Sequence, residues 1–152
     1  MGARNGLSRR EFVERAGRLS AAVACGCTAV LTGGCASFPR VSPRMEEGVA
    51  RVPLTAFSGG PGLLVDHPAD ALPIYVHRHE DGTFTALSTR CTHRGCEVDP
   101  TPDRLACPCH GSEFDLREGA VLAGPADRPL PRYPVVAGAD EIRVDLAAGR
   151  AP

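Results

Sequence analysis

From Val49 onward, apolar residues come in short runs: Val49 to Phe57, Gly62 to Val65, Ile74 to His79, Phe84 to Ser88, Ala120 to Leu122, Tyr133 to Val136 and Ile142 to Leu146. Gly, Pro or Asp bounds each run, which is the punctuation of strands. No stretch sustains a 3.6-residue period, so no long amphipathic helix is predicted. Ile74 and Val76, then Ile142, Val144 and Leu146, alternate with polar residues as half-buried strands do. Glu80-Asp81-Gly82 between two runs predicts a hairpin turn. The pattern therefore predicts an all-β fold. Arg90 to Asp115 breaks the strand pattern and reads as an insertion carried by that scaffold.

Composition narrows the picture. The 152 residues suffice for one core plus an appendage, and 17 Gly with 14 Pro suit a turn-rich β protein. Formal charge is -1, with 17 Arg, no Lys and 18 acidic residues, which excludes an electrostatic nucleic-acid binder. The charge is also uneven. Residues 1–18 hold five arginines, whereas residues 19–39 carry no charge. Residues 36–152 hold 12 Arg against 16 Asp and Glu, a net charge of -4.

A positive segment followed by an apolar one is the order of an export signal. Ser8-Arg9-Arg10-Glu11-Phe12 resembles a twin-arginine signal, which implies export to the periplasmic side of a bacterial inner membrane. The apolar stretch Leu19 to Leu31 is 13 residues long, short of the roughly 20 that span a bilayer. Leu31-Thr32-Gly33-Gly34-Cys35 resembles a lipoprotein cleavage site, so a lipid on Cys35 or a short anchor is the expected contact with a membrane surface; with Cys35 cleaved off instead, a free periplasmic protein is expected. Cys25 and Cys27 belong to the same leader. The expected organisation is a signal over residues 1–35, a tether over 36–48, one domain over 49–146 and a tail over 147–152.

The chemistry lies in the insertion. Cys91-Thr92-His93-Arg94-Gly95-Cys96 and Cys107-Pro108-Cys109-His110-Gly111-Ser112 offer six soft or imidazole donors for a four-ligand metal site. Neighbours in an extended loop point to opposite sides, which separates Cys109 from His110 and favours Cys107 with His110. By symmetry the first loop offers Cys91 with His93. Cys96 and Cys109 are left over, and in an oxidising compartment they would pair. A structural zinc site built from four of the six is the alternative.

The paired motifs C-T-H-x-G-C and C-P-C-H-G-S resemble the disulfide-containing branch of the Rieske iron-sulfur family. The resemblance implies a Rieske-type antiparallel β-sandwich with an inserted cluster-binding subdomain of two Cys/His loops. It implies one 2Fe-2S cluster, with Cys91 and Cys107 on the inner iron, His93 and His110 on the outer, and a Cys96–Cys109 disulfide. Neutral imidazoles in place of two thiolates leave the oxidised cluster less negative, which raises its potential. Gly124-Pro125-Ala126 resembles the family's proline loop over the cluster. Ser112 is expected to donate its hydroxyl to a cluster sulfur, and Gly95 and Gly111 to let backbone pass close to it.

Four departures bear on partners. Quinol-oxidising members of the family usually carry Tyr at the place of Phe114 and Leu at the place of Arg94. The proline loop continues with Asp127 instead of a second Pro, and the leader is short for the full anchor usual in cytochrome bc subunits. The resemblance implies an electron-transfer subunit of a quinol:cytochrome c reductase-like chain, with cytochrome b or c and quinol as partners. The alternative is the small subunit of an exported oxidoreductase of the arsenite oxidase type, serving a large subunit. A cytoplasmic oxygenase ferredoxin fits the disulfide pair poorly. No nucleophile, base and substrate pocket emerges, so catalysis by this chain alone is not expected. His67, His77 and His79 read as surface residues.

Overall fold

The computed structural model describes residues 38–149; the export signal, Cys25, Cys27 and Cys35 lie outside the described residues. In chain order the strands are β1 (Arg40–Val41), β2 (Arg44–Glu46), β3 (Val49–Pro53), β4 (Gly62–Val65), β5 (Ile74–Arg78), β6 (Phe84–Ser88) and β7 (Asp99–Pro100). There follow β8 (Leu105–Ala106), β9 (Glu113–Phe114), β10 (Val121–Ala123), β11 (Arg132–Tyr133), β12 (Val135–Ala137) and β13 (Glu141–Asp145). One 3-10 helix, Leu54–Gly59, leads from β3 towards β4. The fold is all-β, as the pattern predicts.

The strands form three sheets, ordered β1-β4-β5-β6-β11, β12-β13-β3-β2 and β10-β9-β8-β7. All pairs among the described residues are antiparallel except β1 with β4, which run parallel. Two apolar cores result. Leu63, Val65, Ile74, Val76 and Ala86 of the first sheet pack with Ala50, Val52, Ile142 and Val144 of the second. Tyr75 and Leu87, on the opposite face of the first sheet, pack with Leu105, Phe114, Leu116 and Leu130. β5 is therefore buried on both faces rather than half-buried, with Tyr75 only 1% exposed. Burial pushes the Tyr75 phenol up to about 12.

Three sequence expectations need correction. Residues 40–46, expected in a tether, form β1 and β2. The mainly polar and charged residues of this stretch show no strand periodicity, because edge strands are held by ladder bonds and ion pairs instead. Leu64 N–H donates to Pro39 C=O at 2.8 Å, Arg40 pairs with Asp66 at 2.7 Å, and Arg51 of β3 meets Glu46 at 2.5 Å. Second, the Tyr133 to Val136 run divides at Pro134. Tyr133 pairs with Ala86 in the first sheet and Val135 with Val144 in the second, so the chain crosses between sheets at a residue with no N–H to donate.

Third, His79 is a buried residue, not a surface one, and His77 is half-buried. Their rings lie 4.7 Å apart, with His79 Nε2 at 2.7 Å from Thr85 Oγ1 and His77 Nδ1 at 3.1 Å from the Tyr75 hydroxyl. Burial lowers both pKa values; the Arg117 charge adds to this for each, and His79 adds to it for His77. The folded state thus holds both rings neutral below the pH at which unfolded histidine, near 6.5, begins to take up protons. As pH falls through that value the unfolded chain gains protons that the fold refuses, and stability declines. Thermal unfolding measured between about pH 7 and pH 5 should show this slope, made shallower by His79→Gln; an unchanged slope in that variant would disprove the assignment.

Candidate metal centre

The first loop leaves the end of β6 through Thr89, fully buried, whose hydroxyl donates to Pro73 C=O at 2.7 Å. Within it, Cys91 N–H donates to Cys96 C=O and Gly95 N–H to Cys91 C=O, both at 2.8 Å. The second loop repeats the frame: Cys107 N–H to Ser112 C=O at 2.7 Å and Gly111 N–H to Cys107 C=O at 3.0 Å. Gly95 and Gly111 have φ of 77° and 75°, a region that side chains with a β-carbon resist. That turn accounts for both glycines through loop geometry alone. The repeat aligns Cys91 with Cys107, but His93 with Cys109 and Arg94 with His110, so the two imidazoles leave their loops from different positions.

Those positions converge. The His93 and His110 rings face each other edge to face, with centroids 4.8 Å apart. Cys91 and Cys107 are free and buried, each 3% exposed. Cys96 and Cys109 form a disulfide that ties the loops together with Cα atoms 6.6 Å apart. Closing a loop of this length contributes on the order of 3 kcal/mol on the chain-entropy argument. The Cys107 sulfur lies within 4.8 Å of both disulfide sulfurs. Burial pushes the Cys107 thiol up and the neighbouring Cys91 thiol adds to this, while backbone N–H groups of Cys109 and His110 donate to the sulfur and pull it down.

The donor set suits a metal cluster. His93 Nδ1 is buried with no hydrogen-bond partner among the described residues, an arrangement that is costly unless something else takes its lone pair. Two buried thiols and two facing imidazoles supply the soft and borderline donors that iron-sulfur ligation uses. Phe114 is fully buried in the same core as Cys91 and Cys107, which keeps water from the thiols.

The Gly124–Ala126 segment lies against the second loop. Ala126 N–H donates to Ser112 Oγ at 3.1 Å, and among the described residues no protein acceptor takes the Ser112 hydroxyl hydrogen, leaving it free for a cluster sulfur. Thr92 donates to Arg128 C=O at 2.6 Å, so the same segment also grips the first loop. Pro125 is exposed at its crest. The sequence motifs include Gly124 in the proline loop and Thr92 in the first loop, but not the contacts that each makes across to the other segment. Gly124 sits so close that a β-carbon would meet Gly111 O at 2.6 Å and Ser112 N at 2.7 Å. Its position directly before Pro125 was the available signal.

Two cross-linked Cys/His loops on an all-β scaffold define an iron-sulfur electron carrier. Residues 62–134 match the Rieske [2Fe-2S] domain family. The crystal structure of the cyanobacterial plasma membrane Rieske protein PetC3 from Synechocystis PCC 6803 superposes with a TM-score of 0.53 at 33% identity, covering 60% of this chain and 93% of that one. The cytochrome b6-f complex iron-sulfur subunit of Chlorobaculum tepidum is 34% identical over 72% of this chain and 59% of its own length. A putative respiratory nitrate reductase subunit Rieske of Haloferax mediterranei is 38% identical over 68% of this chain and 43% of its own length. The chain thus spans about half the length of these two relatives. It belongs to the Rieske family and is an iron-sulfur electron-transfer protein with a 2Fe-2S cluster as its cofactor.

The close approach at Gly124 gives a direct check. Gly124→Ala would push the proline loop off the Ser112 backbone and break the Ala126 bond, costing about 1–3 kcal/mol by the usual scale of overpacking. Chemical denaturation of the purified protein measures it, and a cost near zero would show that the contact is not rigid.

Proposed function

We propose that Cys91 and Cys107 hold one iron of the cluster and His93 and His110 the other, and that the chain serves as an exported electron-transfer subunit of a quinol:cytochrome c reductase-like respiratory chain. The observation that carries the ligand set is the unpartnered, buried His93 Nδ1 beside the facing His110 ring and two buried free thiols. When bound, the cluster accepts and returns one electron. His110, exposed on its loop, offers a redox partner the shortest way in. The buried Phe114 wall excludes water, and the Ser112 hydroxyl has a hydrogen to give to a sulfur. Export by the twin-arginine pathway to the periplasmic face of the membrane is supported by Arg9-Arg10 and by the disulfide, a bond of oxidising compartments.

A second reading has its own support. Arg94 stands beside His93, exposed and charged where quinol-oxidising members carry Leu, and one relative is named as a putative nitrate reductase subunit. Both fit a small electron-transfer subunit of an exported oxidoreductase. The complex that co-purifies from membranes distinguishes the two readings.

Purified protein should be red-brown, with two irons per chain and an electron paramagnetic resonance signal of His-ligated type. Replacing any one of Cys91, His93, Cys107 or His110 with Ala should remove that signal. One zinc and no iron per chain would overturn the assignment.

Phe114 sets a second test. A hydrogen bond to a ligand sulfur stabilises the reduced form more, because that form carries the extra electron. A hydrogen bond to a charged group is worth about 1.5–3 kcal/mol, of which only the difference between redox states counts. A difference of about 1 kcal/mol corresponds to roughly 40 mV, given about 59 mV per tenfold change for one electron. Phe114→Tyr should raise the midpoint by about that much in voltammetry at fixed pH. An unchanged or lower midpoint would show that position 114 does not face a ligand sulfur.

A further inference from the structure

A cavity of about 560 Å³ opens beside the first loop, within the size range of small-molecule sites. Its lining includes Cys91 and His93, the guanidinium-bearing Arg94 and Arg128, and the hydroxyl-bearing Ser88 and Tyr133.

Its polar groups are unbalanced. The one carboxylate in the lining, Asp70, is already engaged, by Arg90 at 2.5 Å and by Leu72 N–H at 3.0 Å. Ser88 Oγ accepts from Arg90 N–H at 3.1 Å, which leaves its hydrogen free, and Tyr133 makes no side-chain hydrogen bond among the described residues. Arg94 forms no ion pair among the described residues, and the carboxylate nearest Arg128, on Asp127, stands 3.7 Å away, beyond hydrogen-bond length. What is left with hydrogens to donate is the unpaired Arg94 guanidinium, the Arg128 guanidinium held only by a 3.7 Å ion pair to the exposed Asp127, and two hydroxyls. Such a set is complementary to anionic oxygens, and a guanidinium fork grips two at once. Residues 36–152 carry a net charge of -4, so the domain as a whole does not attract anions; this cavity does so locally.

We propose that the cavity is a binding site for a small oxyanion, a carboxylate or sulfate-like group held by Arg94 and Arg128, and that the oxidised protein binds it more tightly than the reduced one. The second half rests on His93 being a cluster ligand. Reduction places an extra electron next to the anion, and in a partly desolvated cavity their repulsion weakens binding. By linkage, bound anion then disfavours reduction by the same factor.

The test uses cluster-loaded protein, with sulfate and succinate as probes against chloride at matched ionic strength. Each probe should raise the unfolding temperature along a saturating curve and lower the midpoint potential over the same concentrations. A tenfold preference for the oxidised form lowers it by about 59 mV. The double variant Arg94→Gln, Arg128→Gln should lose both responses, while Arg78→Gln, exposed at the end of β5, should keep them. Sulfate stabilises many proteins by exclusion from their surface, but that effect does not saturate and would survive in the double variant. Responses that are linear and equal in all three proteins would overturn the site. A saturating thermal response with a fixed midpoint would overturn the coupling to redox state. Failure of the ligand assignment would show separately, as a resonance signal that survives His93→Ala or as zinc in place of iron in the wild type, with the thermal response still reporting on the cavity.

Discussion

The arrangement depends on the hairpin of Ile74–Arg78 and Phe84–Ser88 being buried on both faces. Ile74, Val76 and Ala86 face one core, and Tyr75 and Leu87 face the other. An isolated hairpin would be a marginal structure, whereas burying a large apolar side chain contributes roughly 1.5–3 kcal/mol, and this hairpin buries such side chains on both faces. The first core fastens the hairpin to the second sheet. The second core fastens it to the loops, so the position of Cys91 is inherited from the strand that ends just before it. Thr89, bonded to Pro73 C=O by its hydroxyl and accepting Val98 N–H at 2.8 Å, passes that placement on.

On this base the two loops repeat one backbone frame with different chemistry. In each, a cysteine N–H reaches forward to the carbonyl five residues on, and a glycine in the left-handed region bends the chain between them. The shared frame sets Cys91 and Cys107 in equivalent buried places. The histidines, one residue out of step with each other, come together only because the loops oppose one another and the disulfide holds them so. The proline loop grips both loops through Thr92 and Ser112. An acidic body thus presents a cationic rim at Arg94 and Arg128 beside one histidine and an exposed surface beside the other.

Most of the chemistry could be read before the fold. C-x-H and C-x-x-H are local patterns, and six donors within two short loops restrict the metal options severely. Gly62–Val65 and Phe84–Ser88 were legible as strands for a similar reason, since turn residues bound their apolar runs closely. The reading failed where pattern and environment part company. Arg40–Val41 and Arg44–Glu46 look like linker, because an edge strand needs partners for its backbone and not an apolar face. His79 looks like a surface residue, because nothing local shows that its ring packs beside His77 and under Thr85.

Residue identity and spacing along the chain were enough for the all-β class, the family likeness and the six donors, since each depends on near neighbours in sequence. The Cys96–Cys109 pairing expected from the motifs is the one the structure holds, with Cys91 and Cys107 left free, whereas which nitrogen lies buried without a partner depends on contacts between segments far apart in sequence. Gly124 meets Ser112, Thr92 meets Arg128, and Asp70 neutralises Arg90 while leaving Arg94 free beside His93. Such pairings are set by how sheets and loops close on one another, which is a property of the packed chain and not of any stretch of it.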